Sequence, residues 1–214
     1  GTNAGATNIT VKNTNIVAGR NDTTNTMCIY AGTVDTITSS NTGAHNNNLL
    51  IENNSFQRAR FAIYSRGVPT TGIQTGLIIR NNKMGSDSAG FEITYRAVDI
   101  GNTDSAVVSG NEIFNMQQPL AITVTGIHLD VNVSNAVLNG NFIYRLHQTN
   151  TGTFGAQGIS LSSATGSANV TILNNMISDL VCDGGGTSSL SNPYGIRIAG
   201  GTNHKVYYNS VSLS

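Results

Sequence analysis

LLIENNSF, residues 49–56, is an apolar stub that runs straight into two asparagines. Asparagine is a poor strand residue, so the pair marks a place where a strand must stop. The chain repeats the arrangement. NITVKNTNI starts at Asn8, LIIRNNKM at Leu77, AVVSGNEI at Ala106, AVLNGNFI at Ala136, VTILNNMI at Val170 and HKVYYNSV at His204. Each copy is a short apolar alternation, two special positions, one further residue and another apolar residue. Self-similarity at a spacing of tens of residues is the signature of a chain stacked on itself.

The two special positions obey different rules. The first holds Asn13, Asn53, Asn81, Gly110, Gly140, Asn174 and Tyr208. Asn and Gly are the residues that tolerate positive φ, so the backbone is expected to turn a corner there. The second holds Thr14, then Asn54, Asn82, Asn111, Asn141, Asn175 and Asn209. Glycine never occurs in that column, so an amide side chain is required. Asparagines one strand spacing apart, about 4.8 Å, hydrogen-bond to one another as a ladder. A second strand follows each corner: CIYAG at Cys28, FAIYSRG at Phe61, FEITYR at Phe91, LAITVTG at Leu120, GISLSS at Gly158 and YGIRIAG at Tyr194.

The reading is an all-β chain, a parallel β-helix of about seven coils with an internal Asn ladder, formed by residues 1–214 as one domain. The competing reading, an antiparallel sandwich with NGN at 139–141 as a hairpin turn, gives no reason to repeat one corner seven times. The pattern resembles the right-handed parallel β-helix of the pectate-lyase-like superfamily, and the β-helix repeat regions of secreted bacterial surface proteins. The right hand follows from that resemblance and from the general hand of parallel crossovers.

Composition agrees with a turn-rich β protein. Only 10% of the 214 residues are charged, 24 are glycine and none is tryptophan. The 11 basic and 11 acidic residues balance, which removes the electrostatic footprint of a nucleic-acid binder. There is no apolar run long enough to insert in a membrane as a helix. The opening GTNAGATNIT lacks an initiator Met, as expected of an excerpt or unit of a larger assembly. A secreted or cell-surface setting is expected, with a structural or adhesive role. Self-association through exposed β-helix ends, as filaments, is part of that expectation. Cys28 and Cys182 fall several coils apart, with Cys182 in a loop, beyond the roughly 7 Å limit for a disulfide; two free thiols are expected.

Candidate chemistry concentrates in the second and third coils. Arg58, Arg60, Tyr64, Arg66, Arg80, Glu92, Tyr95, Arg96 and Asp99 lie there, with five of the eight arginines. Arginine forks suit carboxylates, so an acidic polysaccharide is the alternative partner. The resemblance implies, for a polysaccharide lyase, a basic proton abstractor, with Arg80, Arg96 and Glu92 the candidate catalytic residues. Arg58, Arg60, Tyr64, Arg66 and Tyr95 are the ligand-binding candidates. A non-catalytic glycan-binding module is the third reading. No cofactor is implied; Ca²⁺ is used in that superfamily, but the carboxylates here are scattered. Lys12, Glu52 and Arg80 should form a charged stripe on successive coils. GNTDS at 101–105 is similar to the Asn-Thr-Asp motif of polygalacturonases, but the paired Asp-Asp and the Gly-His-Gly of that family are missing, so the match is chance. His128 and Asp130 in GIHLD read as a loop pair.

Overall fold

The computed structural model of the chain describes residues 5–19, 25–32, 44–69, 73–162, 166–187 and 190–213. Every regular element among them is a strand. The strands form four sheets, stacked in register as in a parallel β-helix. The first is seven-stranded and joins Thr10–Lys12, Leu50–Glu52, Ile78–Arg80, Val107–Ser109, Val137–Asn139, Thr171–Leu173 and Lys205–Tyr207. The second, also seven-stranded, begins just after the corner and runs from Asn15–Val17 to Ser210–Ser212. The third joins Met27–Ala31, Ala59–Arg66, Ile93–Gly101, Val124–Leu129, Ala156–Leu161 and Tyr194–Ile198. A short fourth sheet joins Gln74–Thr75, Thr103–Asp104 and Val133–Ser134. Neighbouring strands are parallel throughout, for example Ile51 with Ile79, Ile113 with Ile143 and Val98 with Ile127.

The corner column behaves as its residues require. Asn13, Asn53, Asn81, Gly110, Gly140, Asn174 and even Tyr208 have φ between 53° and 66°. A second left-handed column, not read from the sequence, stands five residues earlier: Asn8, Asn48, Gly76, Ser105, Asn135, Asn169 and Asn203. Each first-sheet strand is thus bracketed by two left-handed residues, which fixes its length.

The ladder is regular in detail. The backbone N–H and Nδ2 of Asn111 both donate to Oδ1 of Asn141, at 3.1 and 2.9 Å. Its Nδ2 also donates back to the Ile79 carbonyl at 3.0 Å. Its own Oδ1 accepts from the N–H and Nδ2 of Asn82, both at 3.0 Å. The same set recurs at Asn54, Asn82, Asn141 and Asn175, and Asn209 closes the series by accepting from Asn175 and donating to Ile172. Thr14 takes part through its N–H and Oγ1, both donating to Asn54.

Inside the corners the expected aliphatic columns are buried. Ile51, Ile79, Val108, Leu138 and Ile172 are fully enclosed, as are Phe56, Met84, Ile113 and Ile143. Ile9 departs from expectation and is exposed, since described strands pack against it on one side only. Lys12, Glu52 and Arg80 do stand in register, and Arg80 pairs with Glu52 at 2.7 Å.

Two readings are corrected. In the third sheet only the later parts of FEITYR and LAITVTG lie in stacked strands, which run on to Gly101 and Leu129. Arg96, not Phe91, lies beside Phe61, and Val98 and Ile127 continue the column of Ile63. The register shifts between Ile93 and Arg96, and Ala121–Thr123 leave the sheet. Cys182, likewise, ends the strand Met176–Cys182 rather than sitting in a loop, and its Sγ accepts the Ala156 N–H at 3.0 Å. Both cysteines are free, and burial pushes the Cys28 thiol up to about 11.

Replacing Asn111 by Ala orphans two buried donors of Asn82 and removes a donor from Ile79. At about 1–3 kcal/mol per orphaned buried group, Asn111→Ala should lower unfolding free energy by roughly 3 kcal/mol, and Asn209→Ala, at the last described strand, by less than half of that. Urea denaturation of the two variants measures the difference.

Candidate cleft on the third sheet

The third sheet bends between two inward residues. Ala62 and Ile63 both belong to the apolar core, as do Ala97 with Val98. The residues on either side therefore point out. Register then builds three outward columns along the stack. One holds Phe61, Arg96, Thr125, Gln157 and Tyr194; the next holds Tyr30, Tyr64, Asp99, His128, Ser160 and Arg197. The third places Arg66 beside Gly101, with Asp130 and Ser162 immediately after the strands that end at Leu129 and Leu161.

These outward residues are nonetheless covered. Segments 119–123 and 149–155 fold over them, held by two buried glutamines in register, Gln118 and Gln148. Gln118 accepts the Leu120 N–H at 2.8 Å and donates to Thr94. Gln148 accepts the Asn150 N–H at 2.8 Å and donates to the Leu120 and Ile122 carbonyls. The result is a cleft of about 480 Å³, walled by Ala121, Ile122, Thr123, Phe154 and Leu190 and floored by Thr125, His128, Gln157, Ser160 and Ser162, with Tyr95, Arg96 and Arg197 at its margins.

Asp99 is the electrostatic centre. It is fully buried, and it accepts from Arg66 Nε and Nη2 at 3.3 and 3.0 Å and from Arg96 Nη1. Arg66 reaches past Gly101 to Asp130 at 2.5 Å. A Cβ on Gly101 would stand 3.4 Å from the Arg66 stem, in contact with it. His128 Nδ1 lies 3.3 Å from Asp99 Oδ2, and its Nε2 lies 2.7 Å from Ser162 Oγ. Burial alone would raise the Asp99 carboxyl, but Arg96, His128 and Arg66 hold it well below the usual carboxylate range. Burial and then Arg96 push His128 below its ordinary value, against Asp99. At neutral pH the group is an ionised Asp99, two arginines and a neutral imidazole.

Of the residues expected to act, the structure gathers only some. Arg96 and Tyr95 line the cleft, Tyr95 under the guanidinium of Arg96 at 4.5 Å. Arg60 also lies over the Tyr95 ring, at 5.1 Å, and donates to Asn25. Tyr64 and Arg66 are buried, so they present no binding surface; Tyr64 stacks on Tyr30 and carries Arg66 over its ring. Arg58 sits over Phe91. Arg80 is on the first sheet with Glu52. Glu92 accepts the Gly90 N–H and borders a different cleft, of about 440 Å³, with Asp87, Arg145 and His147. Arg80, Glu92 and Arg96 thus do not share a cleft.

His128 and Asp130 do not form the loop pair expected of GIHLD, because His128 is in a strand and faces Asp99. Asp104 of GNTDS is held by Ser105, Ser134 and Asn135, hydrogen bonds that outweigh burial and lower its pKa; it is a structural brace. Gln157, Ser160, Ser162 and Arg197 were not singled out from the sequence. Their signal is register in the third sheet, visible only once the misaligned segments are corrected. Among the described residues no three His, Cys, Asp or Glu side chains converge as a metal ligand set. No helix among them is long and apolar enough to cross a membrane. No family model, curated protein or solved structure matches the chain significantly.

His128, facing Asp99, Arg96, Arg66 and Asp130, makes stability depend on pH. Its folded pKa is lowered, so the unfolded chain takes up that proton first. The contribution is present above the unfolded value of about 6.5 and is lost as pH falls from there through the folded value. Asp99 adds a second loss in acid, once pH falls below about 4. Urea midpoints measured from pH 8 to 3 should show both declines, and His128→Gln should remove the first and keep the second.

Proposed function

We propose that this chain is a right-handed parallel β-helix of about seven coils, a single domain of the pectate-lyase-like kind in a secreted or cell-surface protein, and that its third-sheet cleft binds a glycan. One observation carries the reading. Gln157 Nε2 and Ser160 Oγ are buried on the cleft floor without a hydrogen-bond partner among the described residues. A buried donor left unmade costs about 1–3 kcal/mol, a cost that a polyhydroxylated ligand relieves once these side chains turn towards it. Tyr95 and Phe154 supply ring surface and Arg197 a cation at the same place.

The ligand class follows from the charges. Arg66 and Arg96 are committed to Asp99 and Asp130, and Arg80 to Glu52. Few cations remain for a polyanion, so a neutral or sparsely charged glycan fits the cleft better than a strongly acidic one. Oligosaccharide binding followed by calorimetry should fall at least tenfold in Gln157→Ala and stay unchanged in Arg80→Ala. Unsaturated products from acidic polysaccharide, lost on Arg80→Ala, would instead favour a lyase on the first-sheet face.

A second reading, end-to-end self-association, rests on Val206, Tyr207, Tyr208, Val211 and Leu213, all exposed on the last described strands. A further layer stacked there would cover them and pair their strand edges. Sedimentation should show concentration-dependent assembly that a charge at Val211 abolishes; a monomer at every concentration removes this reading.

A further inference from the structure

Three side chains from three successive layers of the third sheet converge at the cleft floor. Asp99 stands in register with His128, and His128 with Ser160, two residues before Ser162 on the same outward face. The Ser162 backbone N–H is fixed to the Leu129 carbonyl at 3.0 Å. That anchor brings Ser162 Oγ to 2.7 Å from His128 Nε2, while His128 Nδ1 is 3.3 Å from Asp99 Oδ2. An ionised carboxylate only accepts. The proton of the imidazole therefore sits on Nδ1, facing Asp99, and Nε2 is left to accept from the Ser162 hydroxyl. The Nδ1 contact is long and off-line for a hydrogen bond, and such contacts in unliganded sites tighten when substrate binds.

We propose that Ser162 is a nucleophile, that His128 is its general base, that Asp99 is the positioning residue which fixes the tautomer, and that the cleft hydrolyses a carboxylic ester, the O-acyl group of a glycan. The glycan half rests on the binding reading above; the ester chemistry rests on the three side chains. Ser162 Oγ attacks the ester carbonyl carbon as its proton passes to His128 Nε2. The carbon–oxygen bond to the sugar breaks, and the same proton goes to the departing sugar oxygen. Water then attacks the acyl–Ser162 ester, gives a proton to His128, and releases the carboxylic acid as Ser162 recovers its proton.

The surroundings suit that sequence. Ser162 is only partly buried and lines the cleft, so substrate can reach it. Gln157 and Ser160, buried on the same floor, carry donors with no partner among the described residues; a rotation of either side chain would aim that donor at a developing oxyanion. Ile122, Phe154 and Leu190 give an acyl group an apolar wall.

The test is covalent labelling of the full chain with a fluorophosphonate probe, read by mass spectrometry, alongside hydrolysis of p-nitrophenyl acetate. Labelling should fall on Ser162, vanish in Ser162→Ala, and slow by roughly 100-fold or more in His128→Gln, the scale of general-base catalysis. Asp99→Asn presents the wrong tautomer to the serine, so it should slow labelling as much while leaving oligosaccharide binding intact, an outcome that loss of structure would not give. No labelling at Ser162, or labelling that is as fast in His128→Gln, overturns the proposal. Oligosaccharide binding by Ser162→Ala is scored separately, so failure of the glycan reading shows as labelling without binding, and failure of the hydrolase as binding without labelling.

Discussion

A buried amide that finds its partner only in the strand above or below is the constraint on which this molecule depends. Asn111 has nothing to bond with inside its own turn of chain except through Asn82 and Asn141. The ladder therefore cannot form unless successive turns stack in register, and each bond made enforces the next. Because an amide has both a donor and an acceptor, the series propagates without orphaning a buried group. Aliphatic columns would tolerate small slips; a column of amides does not, since a slip of one residue would set Asn111 over Asn81 or Lys83 and break the amide-to-amide bonds.

Register has a chemical consequence as well as a structural one. On most protein sites the acting residues come from distant loops. Here they are neighbours along one column, about 4.8 Å apart, a distance that brings side chains into hydrogen-bond reach with little adjustment. Asp99 over His128 is a direct product of stacking. Arg66, in register with Gly101, spans from one turn to the next but one to reach Asp130. The cleft is then completed by segments that do not repeat, and Gln118 and Gln148 tie those segments back to the repeating frame.

The sequence disclosed the frame because its requirements recur. Asparagine or glycine at Asn53, Asn81 and Gly110, and amides at Asn54, Asn82 and Asn111, answer the same demand in each turn, so alignment exposes them. The parallel sheets and the ladder were legible for that reason. The third sheet was legible at CIYAG, FAIYSRG, GISLSS and YGIRIAG, but not in the two strands between, because their outward positions are polar and break the apolar alternation: Asp99 and His128 look like ends of strands, while Phe91 and Ile122 look like members of them. Burial of Tyr64 and Arg66 was hidden for the same reason. They face away from the core, as an exposed pair would, but Tyr64 packs against Tyr30 and Phe61, and Arg66 is drawn in by Asp99 and Asp130. The left-handed column at Asn8, Asn48, Asn135 and Asn169 was legible in principle, since it keeps a fixed distance of five residues from the corner, but Gly76 and Ser105 interrupt its identity.

Arginine count misleads where pairing is unknown. Five arginines in two turns suggested a surface for anions, yet Arg66 and Arg96 converge on the buried Asp99, and Arg80 on Glu52. A buried carboxylate with two guanidiniums is a costly arrangement unless its lone pairs are filled, and here Arg66 and Arg96 donate to both of its oxygens while the imidazole faces it. With its charge balanced in this way Asp99 remains ionised while His128 remains neutral. Two titratable groups whose environments hold them in complementary states, beside a hydroxyl and within a walled cleft, are the condition for proton transfer. Stacking sets that condition: the same in-register rise that lines up the asparagines inside the corner lines up an acid, a base and an alcohol outside it.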